Sequence, residues 1–490
     1  MITWGISANS HDAALAVFTD SGLEFASHTE RFSGVKNDPH LNKEIINYAN
    51  QWGEPNEIIW YERPFRKSLR QIRAGQGFRL AENNINRYLR SYGISAPIRY
   101  TDHHLAHAAA GYYTSAFNEA TVVCIDSIGE FDTLTVWGAN KTNLKRIYKN
   151  TYPHSLGLWY SAFTQRIGLK PQEDEYILMG MAAYGDPDKL YNDIKQDFFI
   201  NGNQWITLKS NLHRGCRSWR SDLSTEQDMF DIAAAVQKIY EEMFELILSK
   251  ANALGKSKNL VLMGGCALNC SANHLAYKYF DDVWIMPNPG DAGSAIGAVL
   301  AHKKQQMLMP HAYTGYNIEG DYPVEETISE LKTTGIVGVA NGRAEFGPRA
   351  FGNRSLLADP RGVDIKQRVN DIKQRQQFRP FAPVVLYEHA SDNFEGCFNN
   401  FMQFTSKCKH PDLYPAICHA DGTSRVQTVP KDGSGIRRLL ERWYEETGCP
   451  MLLNTSLNIK GKPIVNNLTD AQEFAIMYNV KVFTKAENDN

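Results

Sequence analysis

The chain has 490 residues, of which 43% are hydrophobic, 22% charged and 11% aromatic. These are ordinary globular values, so they exclude a disordered, collagen-like or coiled-coil chain, and the length favours two or three domains. The 52 lysines and arginines nearly balance the 54 aspartates and glutamates, a net charge of -2, so any basic binding site must be local.

The chain begins with a predicted β-hairpin whose tight turn presents His11 and Asp12. The first predicted elements are the strands Ile2–Ser7, Ala13–Phe18 and Leu23–Ser27, the helix Ile45–Trp52 and the strand Glu57–Tyr61. A second unit repeats the pattern, since the apolar strand Ala120–Asp126 turns at Ser127–Glu130 and returns as Phe131–Trp137. Repeated strand–turn units predict an α/β core built from related halves.

The rest of the chain predicts a helical middle region and a second domain. Residues 153–250 have helical character, and 230–250 carries apolar residues at helical spacing. The Pro/Gly/Tyr-rich segment 310–323 lacks that periodicity, and a helix at Val324–Thr334 and a strand at Ile336–Ala340 follow it. We therefore predict three parts, which are a domain over 1–310, a linker over 311–322 and a domain over 323–490.

The cysteines and the first residues indicate a cellular compartment. No CxxC pair occurs, and free thiols in a reducing environment are predicted for Cys124, Cys216, Cys266, Cys270, Cys397, Cys408, Cys418 and Cys449. The chain starts directly with a predicted strand, and no apolar stretch approaches the ~20 residues of a membrane span. We expect a cytoplasmic protein without a membrane segment.

Two histidines four residues apart predict a metal site. On a helix His103 and His107 share one face, so both imidazoles can reach one ion. Asp126, at the end of a buried strand, and Asp291, in a loop before a small-residue helix, would add two oxygen ligands. This set suits Fe²⁺, Mn²⁺ or Zn²⁺ better than Ca²⁺. The alternative is a capped helix with partly exposed histidines.

Glycine turns after two strands predict a nucleotide site. Gly129 and Glu130 follow one strand, and Gly264, Gly265 and Asn269 follow another, at Asn259–Met263. Such turns let backbone N–H groups approach phosphates. Each turn alone is a weak signal, but together they indicate a nucleotide held between two lobes.

A dense basic constellation fills the last third of the chain. Guanidinium and ammonium groups beside Asn and Ser donors fit a multi-phosphate anion, and the prolines, glycines and aromatics among them argue against a solvated basic face. The residues are Arg349, Arg354, Lys373, Arg375, Arg379, Arg425, Asn454 and Ser456.

In these motifs the sequence resembles the O-carbamoyltransferases of the NodU/CmcH type, which carbamoylate antibiotics and Nod factors. The resemblance covers essentially the whole chain. It rests on the motifs DHHLAHAAAGYY (102–113), MGGCALNCSAN (263–273), NPGDAGSAIGA (288–298), GPRAFGNRSLLADPR (347–361), FRPFAPVVL (378–386), DGTSRVQTV (421–429) and LLNTSLN (452–458).

The resemblance implies an α/β fold with an actin/Hsp70/sugar-kinase-like N-terminal domain and a YrdC-like C-terminal domain. It implies that carbamoyl phosphate and ATP, with Mg²⁺, form a carbamoyl-adenylate in the C-terminal domain, and that the N-terminal domain transfers the carbamoyl group to an alcohol. The family's metal ligands fall on His103, His107, Asp126 and Asp291. Its carbamoyl-adenylate contacts fall on Arg349, Arg354, Lys373, Arg379, Arg425, Asn454 and Ser456.

Two further residues bear on the mechanism. Ile177 stands where the family usually has a lysine, so a polar role at that position is in doubt. For the acceptor hydroxyl, His11 is the candidate general base, with Asp12 or Glu30 orienting it. The alternative for His11 is a turn residue that bonds its own backbone.

A local excess of basic residues bears on the acceptor. The segment 62–93 holds Arg63, Arg66, Lys67, Arg70, Arg73, Arg79, Arg87 and Arg90, interleaved with Phe65, Phe78, Tyr88 and Tyr92. A second cluster holds Arg214, Arg217, Trp219 and Arg220. Basic side chains spaced with aromatics can follow a phosphate backbone, which favours a polyanionic acceptor such as a hydroxymethylated pyrimidine in DNA.

Three alternatives stay open. A basic helix paired to acidic neighbours would leave a small sugar or antibiotic alcohol as the acceptor. A tRNA threonylcarbamoyl transferase-like enzyme would share the N-terminal fold and the metal ligands, although the second domain argues against it. A non-catalytic nucleotide-binding protein is the third alternative, and the intact metal ligands and arginines argue against it.

Overall fold

A computed structural model describes residues 1–77, 79–379 and 381–487. Phe78 of the basic segment, Pro380 of the FRPFAPVVL motif and the last three residues of the predicted second domain lie outside the described residues. The chain folds into two compact units. The first comprises Met1–Thr29 and Asn37–Pro310, and the second comprises Glu30–Lys36 and the residues from His311 onward.

The first unit contains two five-stranded sheets of the same topology. In each, the first strand pairs antiparallel with the second and parallel with the fourth, which gives the order 3-2-1-4-5. The first sheet consists of β1 (Thr3–Ser7), β2 (Ala14–Thr19), β3 (Gly22–His28), β4 (Glu57–Trp60) and β5 (Ile98–Tyr100). The second consists of β6 (Glu119–Gly129), β7 (Asp132–Asn140), β8 (Asn143–Thr151), β9 (Asn259–Met263) and β10 (Asp282–Trp284).

The repeated sheet confirms the prediction of an α/β core built from related halves. Two consecutive sheets of this order are the arrangement expected of an actin/Hsp70/sugar-kinase-like domain, so the predicted fold class is confirmed as well. The prediction that the sixth strand ends at Asp126 is wrong, because β6 continues to Gly129. Asp126 therefore lies within the strand, three residues before its end.

The helices of the first unit include one long helix that the periodicity predicted. The helices are Lys43–Ala49, Pro64–Arg73, Ile85–Arg90, His103–Thr114, Leu156–Arg166, Glu175–Met181, Tyr191–Phe198, Glu226–Leu254 and Ser294–Lys303. The long helix Glu226–Leu254 starts at a capping box between Thr225 and Asp228. The prediction of a wholly helical middle region is wrong for residues 199–225, which form turns and bends.

Two helices at equivalent positions of the two halves pack closely against each other. The histidine helix (His103–Thr114) follows β5, and the helix Ser294–Lys303 follows β10. A Cβ placed on Gly297 would lie 1.9 Å from the carbonyl oxygen of Ala106, so glycine is required at this crossing. The absence of a side chain at Gly297 therefore permits the close packing of these two helices.

The second unit is also a mixed α/β structure. Its largest sheet has six strands in the order β19-β15-β20-β14-β12-β21, and smaller sheets join β11 to β13 and β16 to β17 and β18. The strands are β11 (Tyr313–Ile318), β12 (Ile336–Ala340), β13 (Gly342–Glu345), β14 (Arg354–Ala358), β15 (Ala382–Leu386), β16 (Phe394–Gly396), β17 (Ser406–Cys408), β18 (Thr423–Ser424), β19 (Gln427–Val429), β20 (Met451–Ser456) and β21 (Val482–Phe483).

The helices of the second unit agree with the sequence prediction where the apolar residues have helical spacing. They are Glu30–Ser33, Val324–Thr334, Ile365–Lys373, Tyr387–Asn393, Gly435–Thr447 and Leu468–Tyr478. The predicted helix Val324–Thr334 and strand Ile336–Ala340 are confirmed. The segment 311–322, expected to be a linker, instead contains β11. Within the described part of the chain, no helix combines the length and the apolar character that crossing a membrane requires.

Candidate active site

Four buried side chains predicted as metal ligands converge in the first unit. One ligand atom from each of His103, His107, Asp126 and Asp291 lies within 4.8 Å of the others. The two histidine Nε2 atoms are 3.1 Å apart, and each lies 3.3 Å from Asp291 Oδ1. Ligand atoms bound at about 2.1 Å to one tetrahedral ion are about 3.4 Å apart. The spacing therefore suits a single ion shared by these side chains.

The two halves of the first unit each contribute to this cluster. The histidine helix belongs to the first half, whereas Asp126 lies on β6 and Asp291 begins the turn before the helix Ser294–Lys303, both in the second half. A Cβ on Gly129 would lie 2.2 Å from His103 Cδ2, so the strand reaches the imidazole only because the residue is glycine. The backbone N–H of Gly265 donates to Asp126 Oδ1 at 3.4 Å and orients that carboxylate.

The buried carboxylates of the cluster need positive charge to balance them. Burial and Asp291 act to raise the pKa of Asp126, but the hydrogen bond from His103 and the charges of His107 and His103 lower it to about 2. Burial opposes a charge on His103, yet Asp291 and Asp126 raise its pKa well above the ordinary value. Two ionised carboxylates among buried imidazoles are balanced either by protons on the histidines or by a metal ion. Two nitrogen and two oxygen ligands fit Fe²⁺, Mn²⁺ or Zn²⁺.

Residues around the ligands were missed by the sequence analysis. His107 Nδ1 lies 3.3 Å from Ser294 Oγ, the kind of outer contact that fixes the orientation of a metal-binding imidazole. His103 Nδ1 is buried without a hydrogen-bond partner in the described part of the chain, and the ring of Tyr61 packs 5.2 Å from the His103 ring. Ser294 lies in the NPGDAGSAIGA motif, which was its only sequence signal.

The turn between β1 and β2 places His11 beside Asp12. His11 Nδ1 lies 3.3 Å from Asp12 Oδ2, and Asp12 has a positive φ of 56°. Burial opposes a charge on His11, but Asp12, Asp291 and Asp126 raise its pKa to about 10. His11 is thus within electrostatic range of the ligand carboxylates. Glu30, the alternative partner of His11, lies in the second unit, where its carboxylate accepts a hydrogen bond from Arg31.

The glycine turns support the metal-ligand cluster structurally. Gly264 has a φ of 89° and donates its N–H to the loop before Asp291. Glu130 is buried and accepts a hydrogen bond from a backbone N–H at 2.7 Å. The Asn269 side chain exchanges hydrogen bonds of 3.0 and 3.1 Å with Gln237, which favours a framework role for it. Nucleotide contact stays a prediction for Gly129, Glu130, Gly264 and Gly265.

A buried lysine marks the predicted adenylate site of the second unit. Lys373 Nζ donates to the carbonyl of Ser456 at 2.5 Å and to the carbonyl and the side-chain oxygen of Asn458. These acceptors are neutral, and in the residues that the structure describes no carboxylate forms an ion pair with Lys373. Burial, together with the positive charges of Arg375 and Arg379, lowers the pKa of Lys373 well below its ordinary value. An anionic ligand beside Lys373 would stabilise its charged form.

Of the four predicted adenylate-binding arginines, three are half-buried and one is fully buried. Arg349, Arg379 and Arg425 retain partial exposure, so each can present its guanidinium to a ligand. Arg354 is fully buried. Its guanidinium donates to backbone carbonyls of Tyr316, Asn341, Gly342, Asn353 and Asn466. This geometry favours a framework role for Arg354 over contact with a ligand.

The two other predicted adenylate contacts, Asn454 and Ser456, differ in their hydrogen bonds. Asn454 is buried and donates to the carbonyl of Ala350 at 2.8 Å, while its Oδ1 has no hydrogen-bond partner among the described residues. Ser456 Oγ donates to Asn458 Oδ1 at 2.7 Å, so it belongs to the group of oxygens around Lys373. Both roles in adenylate binding stay predictions.

Many cations of the basic segment pair with acids. The pairs are Arg63 and Arg66 with Asp102, Lys67 with Glu62, Arg79 with Glu82, and Arg220 with Asp193 and Asp222. The alternative of a basic helix paired to acidic neighbours therefore accounts for part of the excess. Arg73, Arg87 and Arg90 are exposed and form no ion pair within the described ranges.

Two family models match successive parts of the chain. A family model described as the carbamoyltransferase N-terminus matches residues 61–300, and one described as the carbamoyltransferase C-terminus matches residues 328–485. An uncharacterized protein of Synechocystis sp., sll1178, is 31% identical, and the match covers 95% of this chain and 93% of that protein.

Two further relatives carry functional names. The nodulation protein NolNO of Sinorhizobium fredii is 30% identical, over 94% of this chain and 76% of its own length. The 3'-hydroxymethylcephem-O-carbamoyltransferase of Amycolatopsis lactamdurans is 26% identical, over 94% of each chain. Both matches extend through the first and the second unit.

Proposed function

The chain belongs to the carbamoyltransferase family and transfers a carbamoyl group, and from this premise we propose a route of two steps. In the first, carbamoyl phosphate and ATP give carbamoyl-adenylate in the second unit. One water is consumed, and phosphate and pyrophosphate are released. In the second, the oxygen of an acceptor hydroxyl attacks the carbamoyl carbon, AMP leaves, and the hydroxyl proton passes to a base.

Lys373 is the observation that supports the first step. Its ammonium is buried among neutral oxygens and beside two arginines, which leaves an anion as its missing partner. Adenylate formation concentrates negative charge on the α-phosphate and on the departing pyrophosphate. A positioned ammonium stabilises that charge as it develops, because it needs no reorganisation at the moment of reaction. Arg349, Arg379 and Arg425 would supply further donors.

The second step uses the cluster of the first unit. His103, His107, Asp126 and Asp291 would hold a divalent cation, which supplies a Lewis acid for the phosphate and the carbamoyl oxygen. His11 would accept the proton of the acceptor hydroxyl, with Asp12 holding its ring. Since a base must be neutral, this role requires that the charge of the two carboxylates be balanced by something other than His11.

For the acceptor, we propose an alcohol carried by a polyanion, such as a hydroxymethylated pyrimidine in DNA. The support comes from Arg73, Arg87 and Arg90, which stay exposed and outside the ion pairs that neutralise their neighbours. A pyrimidine in a duplex would have to be flipped out or presented in a single strand. A sugar or antibiotic alcohol is the rival acceptor, and the two named relatives favour it.

Two measurements test the proposal. Carbamoyl phosphate should cause the purified protein to release pyrophosphate from ATP, whereas a tRNA-type enzyme would be inert to carbamoyl phosphate and a binding protein would release nothing. Mass spectrometry across a panel of alcohols, including hydroxymethylated DNA, sugars and cephem alcohols, should then detect the mass of one added carbamoyl group. Protein without pyrophosphate release and without any carbamoylated product would contradict the proposal.

A further inference from the structure

The two basic clusters of the first unit meet in one place that the mechanism above does not use. Arg70 Nη1 donates to Gln76 Oε1 at 2.8 Å, and Gln76 Nε2 lies 2.6 Å from His213 Nε2. The next residue, Arg214, comes back to the same turn, since its Nη2 would lie 3.6 Å from a Cβ on Gly75. Residues far apart in the chain therefore form one polar cluster, which we call the Arg70 cluster: Arg70, Gln76, His213 and Arg214.

The Arg70 cluster has more positive charge than its nearby acid can balance, because Glu62, whose charge acts on Arg70, already pairs with Lys67. Arg70 is 8% exposed and Arg214 is exposed, and neither forms an ion pair among the residues that the structure describes. Arg70 Nε and His213 Nδ1 are buried polar atoms without a hydrogen-bond partner in that same part of the chain. A buried guanidinium with a neutral amide as its protein partner loses free energy unless an anion supplies the remaining contacts.

The helix that carries Arg70 is oriented against its own amphipathic pattern. Pro64–Arg73 exposes Phe65 by 68% and Leu69 by 43%, while Lys67 and Arg70 are buried. Lys67 has a partner, because its Nζ lies 2.6 Å from Glu62 Oε1. Within the described ranges, Arg70 forms no ion pair and bonds the neutral amide of Gln76 instead. Since burying a charged face instead of an apolar one is unfavourable for folding alone, the inward position of Arg70 indicates a role in binding.

The Arg70 cluster lies beside the metal-ligand cluster. The helix that carries Arg70 begins at Pro64, just after Tyr61, whose ring packs 5.2 Å from that of His103. The same helix holds Arg66, which pairs with Asp102, the residue before His103. A molecule anchored at Arg70 can therefore extend along this helix toward the transfer site.

We propose that the Arg70 cluster is an acceptor subsite that binds an acidic group, a phosphate or a carboxylate, on the molecule to be carbamoylated. This inference rests on the proposed function for the identity of the molecule. The guanidiniums of Arg70 and Arg214 offer forked donors that match the two oxygens of such a group. The subsite selects acidic alcohols over neutral ones because a neutral acceptor leaves the charge of Arg70 unbalanced.

The test compares alcohols that differ by one acidic group. The probes are 5-hydroxymethyl-2'-deoxycytidine with its 5'-monophosphate, and glycerol with glyceric acid, which separate the phosphate from the carboxylate. Equilibrium binding is measured for the full-length protein and for Arg70→Gln, Arg214→Gln and Arg99→Gln. Arg99 is the control, because it is an exposed arginine of the first unit that lies outside both basic clusters and pairs with Glu57.

We expect at least one acidic member to bind tenfold or more tightly than its neutral partner. Arg70→Gln and Arg214→Gln should reduce that preference at least tenfold, and Arg99→Gln should keep it. The subsite would be overturned if the wild type bound the acidic and the neutral member of each pair equally. It would also be overturned if the Arg214→Gln variant, whose position is exposed and readily tolerates the change, kept the preference for the acidic member. Binding does not depend on turnover, so a protein with this preference but without pyrophosphate release would retain the subsite and lose the proposed function.

Discussion

The Nε2 atoms of His103 and His107 lie 3.1 Å apart in a buried site. Two imidazole nitrogens approach this closely only when a proton or a cation lies between them. The two histidines lie one turn apart on the same helix, and the carboxylates of Asp126 and Asp291 complete the cluster. The relationship leads directly to the first prediction.

His103→Ala or Asp126→Ala should remove bound metal and abolish carbamoyl transfer. Changing an outer contact of a metal site typically costs 10–100-fold, and loss of a direct ligand should cost more. Pyrophosphate release should remain, because adenylation is assigned to the other unit. Metal content by elemental analysis and product formation by mass spectrometry check the two halves of this prediction.

The control for the metal prediction is His274→Ala. His274 is exposed, and its ring bonds a local backbone carbonyl, so the variant should keep both the metal and the activity. A His103→Ala protein that carbamoylates at the wild-type rate would show that the ligand assignment is wrong.

Lys373→Ala should stop pyrophosphate release. Removal of one preorganised donor at a site of developing charge costs about 100–1,000-fold in rate. Added carbamoyl-adenylate should partly restore carbamoylated product, since the transfer site is unchanged. Lys366, a neighbour on the same helix, provides the control as Lys366→Ala. Normal pyrophosphate release by Lys373→Ala, without rescue of its product by the adenylate, would contradict the two-step route.

The affinity for AMP should depend on pH through Lys373. Burial and two arginines lower its pKa, so in the free protein the ammonium loses its proton at a pH below the ~10.4 of an ordinary lysine. An anion binds the charged form, so affinity should fall as pH rises through the lowered pKa. Lys373→Arg keeps its charge and should remove this step. A wild-type profile that stays flat up to the ordinary lysine range would speak against the assignment.

Gly264→Ala should destabilise the first unit. Gly264 has a φ of 89° and a ψ of 166°, a region open essentially to glycine alone, and an added Cβ would lie 2.2 Å from the carbonyl oxygen of Ile125. The backbone strain alone costs about 1–3 kcal/mol. Gly290→Ala is the matched control, since a Cβ there meets nothing within 4 Å. Urea unfolding should separate the two variants, and equal midpoints would refute the strain argument.

Reversing the three exposed arginines should test the nucleic-acid acceptor. Arg73→Glu, Arg87→Glu and Arg90→Glu combined should weaken binding to hydroxymethylated single-stranded DNA and flatten its dependence on salt. These positions are preferable to Arg66, which is already paired with Asp102. Salt-independent activity on a small alcohol, without measurable DNA affinity at low salt, would decide for the sugar or antibiotic acceptor.

The sequence predicted the elements that follow from a local pattern of residues. The strand Asn259–Met263 and the helix Val324–Thr334 match the structure residue for residue, because their apolar spacing and flanking turns are unambiguous. The four metal ligands could be proposed because histidines at i and i+4 share a helix face. Their convergence with Asp291 depends on how the two halves pack, which no local pattern contains.

Other features depended on tertiary contacts and were missed. Four of the five carbonyls that surround Arg354 come from residues 12 or more positions away in the chain, so the sequence alone did not distinguish Arg354 from Arg349. The meeting of Gln76 with His213 joins segments more than a hundred residues apart. The apolar periodicity of residues 64–73 would also place Phe65 inward. In the structure the polar contacts of Lys67 hold the lysine inward, and Phe65 is exposed.

The repeated sheets divide the metal ligands between two halves. The β1–β2 turn with Asp12 and the β6–β7 turn with Glu130 occupy matching positions, and both residues have a φ of 56°. The imidazole pair lies in one half, and Asp126 and Asp291 lie in the other. Neither half contains a complete ligand set, so one half expressed alone should not hold the metal.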